Sequence, residues 1–254
     1  MKKLLKVVAV VVVVLVASLA AVLGAAMAGK APIVEGQRAE GVEVVKDGYV
    51  DACIVDVGKG RVALVDAGDA EDAGPLLAAL KRRGLGPEAV QAILLTHGDF
   101  DHTRGARHFP QATVMMLEPD VALAEGRVSR TPMRSPKPMG FKVGRVLQDG
   151  EVVEVGEVRF EVFAVPGHTP GSAAYLARGV LFLGDSADVS SDGKLEPGNW
   201  LFSQDTRLNR RSLRELAARL EKRAADVKVL LPSHSGALEK GLAPLTELAA
   251  ALRD

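Results

Sequence analysis

The chain predicts an α+β sandwich: two mixed β-sheets packed face to face with helices outside, an αββα arrangement. Two observations predict it. Short β-branched runs broken by turn residues come first and helical segments after, and that order is then repeated in the second half. Hydrophobic residues make up 48% of the 254 positions, enough for a sizeable core.

The elements follow in order. Residues 1–28 read as a targeting segment. Lys2, Lys3 and Lys6 form a positive start, an uncharged run extends from Val7 to Ala28, and Ala26-Met27-Ala28 is a small-x-small cleavage signal. The run is also close to the roughly 20 residues that span a bilayer. It is therefore expected to be a signal peptide or an N-terminal membrane anchor. Either way the lysines stay cytoplasmic and the domain is exported, to the periplasm or the outer face of the cytoplasmic membrane. Residues 29–40, polar and glycine-containing, are expected to be a linker, and 41–254 the domain proper.

Within 42–65 the turns Asp47-Gly48 and Gly58-Lys59-Gly60 separate strands into hairpins. A helix is expected over 73–83, with basic residues in its last turn and Gly84 as its stop. A strand at 91–95, a short helix near 104–108, a strand at 113–117 and a helix at 119–124 complete the first half. In the second half, 150–165 alternates like paired strands. Strands are expected at 172–176, 180–183 and 228–231, and helices at 209–222 and 238–252.

Residues 126–148 stand apart. They carry Arg127, Arg130, Arg134, Lys137, Lys142 and Arg145 with no acid, and Pro132, Pro136 and Pro138 disfavour regular structure. A long loop is expected, either facing substrate or lying as a solvated basic stretch, including against an anionic membrane surface.

Composition excludes some functions. Acids and bases balance at 32 each, and aromatics are 4%, so neither a basic footprint nor stacking surfaces for nucleic acid are present. Cys53 is the sole cysteine, so no intramolecular disulfide forms. It lies in an expected strand and reads as a small core residue.

The chemistry is concentrated in Thr96-His97-Gly98-Asp99-Phe100-Asp101-His102-Thr103, directly after the apolar run Ala92-Ile93-Leu94-Leu95. Four potential metal ligands thus crowd the end of a buried strand. His168, Asp185 and His234 follow, and four of the chain's five histidines fall in this set. Divalent ions need deprotonated N and O donors converging at about 2 Å. Two ions a few Å apart can share a hydroxide, lower its pKa and polarise the bond it attacks. His108 lies beyond the run and reads as a structural or surface histidine. Trp200 either lines the pocket mouth or packs beneath its loop. Asp66, at a strand end, is a candidate to support the site.

The pattern resembles the metallo-β-lactamase-fold superfamily of metallohydrolases over about residues 42–240. The first motif there reads His-x-His-x-Asp-His, usually followed by Gly-Gly. Pro166-Gly167-His168-Thr169-Pro170-Gly171-Ser172 resembles the second motif of glyoxalase II and related hydrolases. Leu183-Gly184-Asp185 resembles the strand of the bridging aspartate, and Pro232-Ser233-His234 the final histidine. The resemblance implies two divalent metal ions: His97, Asp99 and His168 on one, Asp101, His102 and His234 on the other, with Asp185 bridging. It also implies that Asp101 orients the attacking water or moves a proton.

Two departures matter. Asp99 stands where the family has histidine, a hard anionic donor that leaves zinc first but brings in manganese or iron, or else weakens the first site and leaves one metal. Arg104 replaces a glycine and is expected to pair with Asp99 or with an anionic substrate. The resulting expectation is an exported hydrolase using a metal-bound hydroxide on an ester, thioester, lactone, lactam or phosphoester of small-molecule size. Glyoxalase II activity itself is not the expectation, because little sequence follows His234 to form a substrate-binding domain. The alternatives are an iron-dependent redox enzyme of the same fold, persulfide dioxygenase-like or flavodiiron-like, and a non-catalytic metal-binding module. The flavodiiron-like proteins also depend on a flavin domain, for which no room is expected here.

Overall fold

The computed structural model describes residues 2–130 and 135–253; Pro132 and Arg134 of the basic loop lie outside the described residues. A helix α1 (Lys2–Met27) precedes the domain, with Val7 to Val16 exposed. Among the described residues no helix is long and apolar enough to cross a membrane. Several side chains of α1 are outside the described set.

The first sheet has seven strands in chain order: β1 (Gly36–Ala39), β2 (Val42–Asp47), β3 (Val50–Gly58), β4 (Arg61–Val65), β5 (Val90–Leu94), β6 (Thr113–Leu117) and β7 (Val143–Leu147). β1 to β4 pair antiparallel, β2 to β4 through the two expected turns, and β4 to β7 pair parallel. Helix α2 (Gly74–Arg82) makes the crossover from β4 to β5. Two four-residue helices, α3 (Phe100–Thr103) and α4 (Val121–Ala124), follow β5 and β6. The second sheet is built from β8 (Val152–Val155), β9 (Val158–Ala164), β10 (Ala173–Ala177), β11 (Val180–Gly184) and, parallel to β11, a last strand ending at Pro232. Between them lie the small hairpin β12 (Ala187–Val189) and β13 (Leu195–Pro197) and helix α5 (Thr206–Leu220). The last strand is β14 (Val229–Pro232), and α6 (Ala243–Ala251) closes the chain's described part.

Alternation along the strands explains the layering. Val44, Cys53 and Val55 point into the core shared with Phe160, Val162, Tyr175 and Phe182 of the second sheet. Their neighbours Val45 and Ile54 point the other way, under Leu76 and Leu80 of α2. Leu181, Leu183 and Leu230 similarly pack beneath Leu213, Leu216 and Leu220 of α5. The central strands of both sheets are thus covered on both faces, which is why they read as nearly continuous apolar runs, while β7 and β8 are partly exposed. Cys53 is a buried free thiol of the central layer.

Three expectations are corrected. Residues 29–40 are not a free linker: β1 pairs with β2, Lys30 bridges to Ser190, and the Lys30 ammonium meets Asp188 at 2.8 Å. The basic stretch 126–148 is not loop throughout, because Val143–Leu147 joins the sheet edge beside β6. The short helix expected near 104–108 is present as a 3-10 helix, Arg104–His108. The last helix starts at Ala243 and not at 238, since Pro244 suits a first turn, while Leu238 pairs with Leu230.

Candidate metal centre

All the ligand-bearing turns leave the same end of the sandwich. His97 follows β5, Asp101 and His102 lie on α3, His168 follows β9, Asp185 follows β11 and His234 follows β14. Because β11 and β14 are parallel neighbours, Asp185 and His234 emerge side by side. Gly184 holds a positive φ of 54°, and a Cβ there would lie 2.7 Å from the Thr96 side chain. Only glycine lets the two sheets approach this closely at the seam.

The structure brings all seven side chains together. His168 Nε2 lies 3.2 Å from Asp99 Oδ2 and 3.5 Å from Asp185 Oδ2. His97 Nε2 is 3.5 Å from Asp99 Oδ2. On the other side, His102 Nε2 is 3.3 Å from Asp185 Oδ1, and His234 Nε2 is 3.2 Å from Asp185 Oδ2 and 3.5 Å from Asp101 Oδ2. Asp185 therefore sits between the two trios. The donor atoms of His97, Asp99 and His168 lie within 4.8 Å of one another, and so do those of Asp101, His102 and His234.

The imidazoles are oriented from behind. His102 Nδ1 donates to Asp66 Oδ2 at 2.8 Å, and His234 Nδ1 donates to the Tyr49 carbonyl at 2.9 Å. Thr96 Oγ1 donates to Asp66 and so accepts from His97 Nδ1 at 3.1 Å. Each of these three rings thus turns Nε2 inward. The Tyr49 ring also stacks on His234, with centroids 5.6 Å apart. Asp120 fixes the two long turns to each other, accepting from Gly98 N at 2.9 Å and Gly171 N at 2.8 Å.

Electrostatics follow from this crowding. Burial would raise the carboxyl of Asp185, but His234, His102 and His168 hold it well below the usual range. Burial opposes ionisation of Asp99 also, and hydrogen bonds from His168 and Arg130 together with the nearby His97 imidazole outweigh it. Burial lowers the imidazole of His102, yet Asp185, Asp66 and Asp101 push it well above its ordinary value. His234 is pushed up to about 9 against burial, by Asp185 and Asp101. His168 is lowered by burial.

The donor set fits a divalent cation. His97 Nε2 and Asp185 Oδ1 are buried without a hydrogen-bond partner in the protein, a costly state for atoms that face one another's cluster unless a cation sits between them. Four imidazoles and three carboxylates suit zinc, manganese or iron. A cavity of about 700 Å³ opens over the cluster, with Tyr49, Leu123, Arg130, Met139 and Phe202 among its walls.

Arg104 does not pair with Asp99. Its guanidinium meets Asp69 at 2.6 Å and lies over the Phe100 ring at 4.4 Å. Asp99 is instead gripped by Arg130, whose Nε donates to Oδ1 at 2.7 Å and whose Nη2 donates to Oδ2. His108 accordingly lies outside the centre, beside the Glu71 carbonyl. Trp200 is 64% exposed, and its neighbours Leu201 and Phe202 line the cavity in its place.

The family model of the metallo-beta-lactamase superfamily matches residues 45–234. The chain belongs to the metallo-beta-lactamase superfamily. A hydroxyacylglutathione hydrolase of Xanthomonas axonopodis pv. citri (strain 306) is 38% identical over 152 residues, 60% of this chain and 51% of its own length. The chain thus spans about half the length of that relative. Among solved structures, a metallo-beta-lactamase family protein of Thermus thermophilus aligns with a TM-score of 0.60 at 27% identity, covering 83% of this chain and 79% of its own. A B3 metallo-beta-lactamase described as the first with an active-site glutamic acid aligns at TM-score 0.64 and 18% identity over 90% of each chain, a likeness of fold.

Three residues of the centre carry no individual signal in the sequence: Arg130, Asp120 and Tyr49. Arg130 is visible there only as one cation of a basic stretch. Asp120 and Tyr49 act through backbone groups or by stacking, which leave no motif.

Proposed function

We propose that this chain is a metal-dependent hydrolase of acyl substrates, with a thioester first among them. The observation that carries the reading is the convergence of six donor side chains around the central Asp185 at the floor of an open cavity. The hydroxyacylglutathione hydrolases that resemble 60% of the chain support thioester cleavage over the other acyl classes.

His97, Asp99 and His168 would hold one ion, Asp101, His102 and His234 a second, with Asp185 between them. Ions held there, zinc first and manganese or iron as alternatives, would supply Lewis acidity toward a carbonyl oxygen and toward water. Asp66 and the Tyr49 carbonyl keep the rings oriented throughout. Asp101 Oδ2, facing His234 at 3.5 Å on the cavity floor, is placed to hold and pass a proton. Leu123, Met139 and Phe202 exclude water around the acyl group, while Arg107 and Lys137 on the same wall favour an anionic substrate. We further propose export, with α1 as a signal peptide or anchor; fractionation and N-terminal sequencing of the mature protein test it.

The deciding experiment incubates the purified chain with a hydroxyacyl-glutathione thioester and with ester, lactone, lactam and phosphodiester panels, before and after chelation. Thioester cleavage that chelation removes and zinc restores is the expected result. Oxygen consumption by an iron-loaded protein would overturn it in favour of a redox enzyme, and turnover of nothing would leave a metal-binding module.

A further inference from the structure

We propose that Arg130 makes the two metal positions unequal, because it holds Asp99 in a fork that an ion at the first position must open. This rests on the metal-centre reading above. Both carboxylate oxygens of Asp99 are engaged, Oδ1 by Nε at 2.7 Å and Oδ2 by Nη2. Nη2 also lies 3.1 Å from His168 Nε2. The guanidinium therefore occupies the space between two of the three donors of the first trio. It is not a loosely placed side chain. Nη1 donates to the Phe202 carbonyl at 2.7 Å and to the His168 carbonyl at 3.3 Å, so two turns of the cavity wall fasten it. A planar fork anchored on both sides is a stronger competitor for a carboxylate than a mobile ammonium.

The second trio has no such competitor among the described residues. Arg104, the nearest cation in sequence, is occupied by Asp69. Behind His102 stands Asp66, which adds negative charge. One position thus offers a carboxylate already neutralised by a fixed cation. The other offers Asp101 with a supported imidazole. An ion at the first position must displace the guanidinium from Oδ2 and take its place beside a fixed positive charge; an ion at the second displaces protons from its imidazoles but no fixed cation.

Zinc titration by calorimetry, with elemental analysis of protein dialysed at fixed free zinc, reads this directly. The expected parent holds one zinc tightly and a second about tenfold or more weakly. Arg130→Ala should tighten the second ion to near the first, and Arg130→Lys, which keeps a charge without the fork, should fall between them. Circular dichroism checks that each variant is folded. If Arg130→Ala does not fold, Arg130→Lys alone carries the test. Folded variants that bind two ions with the parent's pair of affinities would overturn the inference and leave the metal centre standing. Loss of the weak ion in Arg130→Ala would overturn it as well. Should neither parent nor variants bind zinc, manganese or iron, both readings fall.

Discussion

Asp66 Oδ2 accepts from His102 Nδ1 at 2.8 Å, and the same carboxylate accepts from Thr96 N at 2.7 Å and Thr96 Oγ1 at 2.8 Å. One buried side chain at the end of β4 therefore sets the angle of a ring on α3 and the start of the loop after β5. Asp66 itself has a left-handed backbone, φ 60°, which asparagine tolerates nearly as well. Asp66→Asn should keep the fold while removing the charge and turning one of the two acceptor positions into a donor. Metal affinity is expected to fall about 10- to 100-fold. An unchanged zinc dissociation constant would show that the contact is only structural.

The charge on His234 gives a pH dependence. In the metal-free protein Asp185 and Asp101 push it up to about 9 against burial. Its protonation stabilises that form fully below about pH 6.5, the ordinary imidazole value, and the contribution is lost as pH rises through about 9. A metal takes the neutral ring, so zinc binding must expel the proton. Affinity should climb between pH 7 and 9 by up to about tenfold per pH unit for each proton released. Calorimetry at pH 7 in two buffers of different ionisation enthalpy measures that release; identical apparent enthalpies would contradict it.

Gly105 is retained although Arg104 beside it departs from the family pattern. A Cβ at 105 would lie 2.2 Å from the Ala67 carbonyl oxygen and 3.2 Å from the Ala73 Cβ. Position 104 has no such limit, since its side chain runs outward to Asp69. Gly105→Ala should cost about 1–3 kcal/mol in urea denaturation, the usual penalty for overpacking a closed site. Stability equal to the parent's would mean the 67–105 contact yields freely.

Asp51 lies beneath the centre, 3% exposed, with Oδ2 lacking a partner. Burial pushes its carboxyl well above the ordinary value, against the attraction of His234. A raised carboxyl favours the fold when protonated, and that advantage is lost as pH rises above about 3.9, where the unfolded chain ionises. Asp51→Asn should stabilise the metal-free protein against urea at pH 7, by on the order of 1 kcal/mol, and much less near pH 4. Destabilisation of equal size at both pH values would sink this account.

The strands around the centre were legible because they are apolar and bounded by turns: β6 spans 113–117 as expected, and the two glycine turns separate β2, β3 and β4. The donor set was legible because four of its members follow one strand. Edges were not. β1 reads Gly-Gln-Arg-Ala, with no alternation to mark it, and becomes a strand only by pairing with β2. The partner of Asp99 was also hidden. Sequence proximity pointed to Arg104, but the turn of α3 carries that side chain to Asp69, while Arg130, 31 residues away, reaches across the cavity. Periodicity carries no information about a contact of that kind.

His234 donates to the carbonyl of Tyr49, 185 residues earlier in the chain. At roughly 5–20 residues per second, a ribosome needs roughly 10–40 s to pass from one to the other. For the last 132 residues of that interval His97, Asp101 and His102 exist without their last companion. The nascent chain holds an open donor set throughout, and only docking of β14 closes it. Capture of a tightly held ion is thus a timestamp: it records that the final strand has arrived.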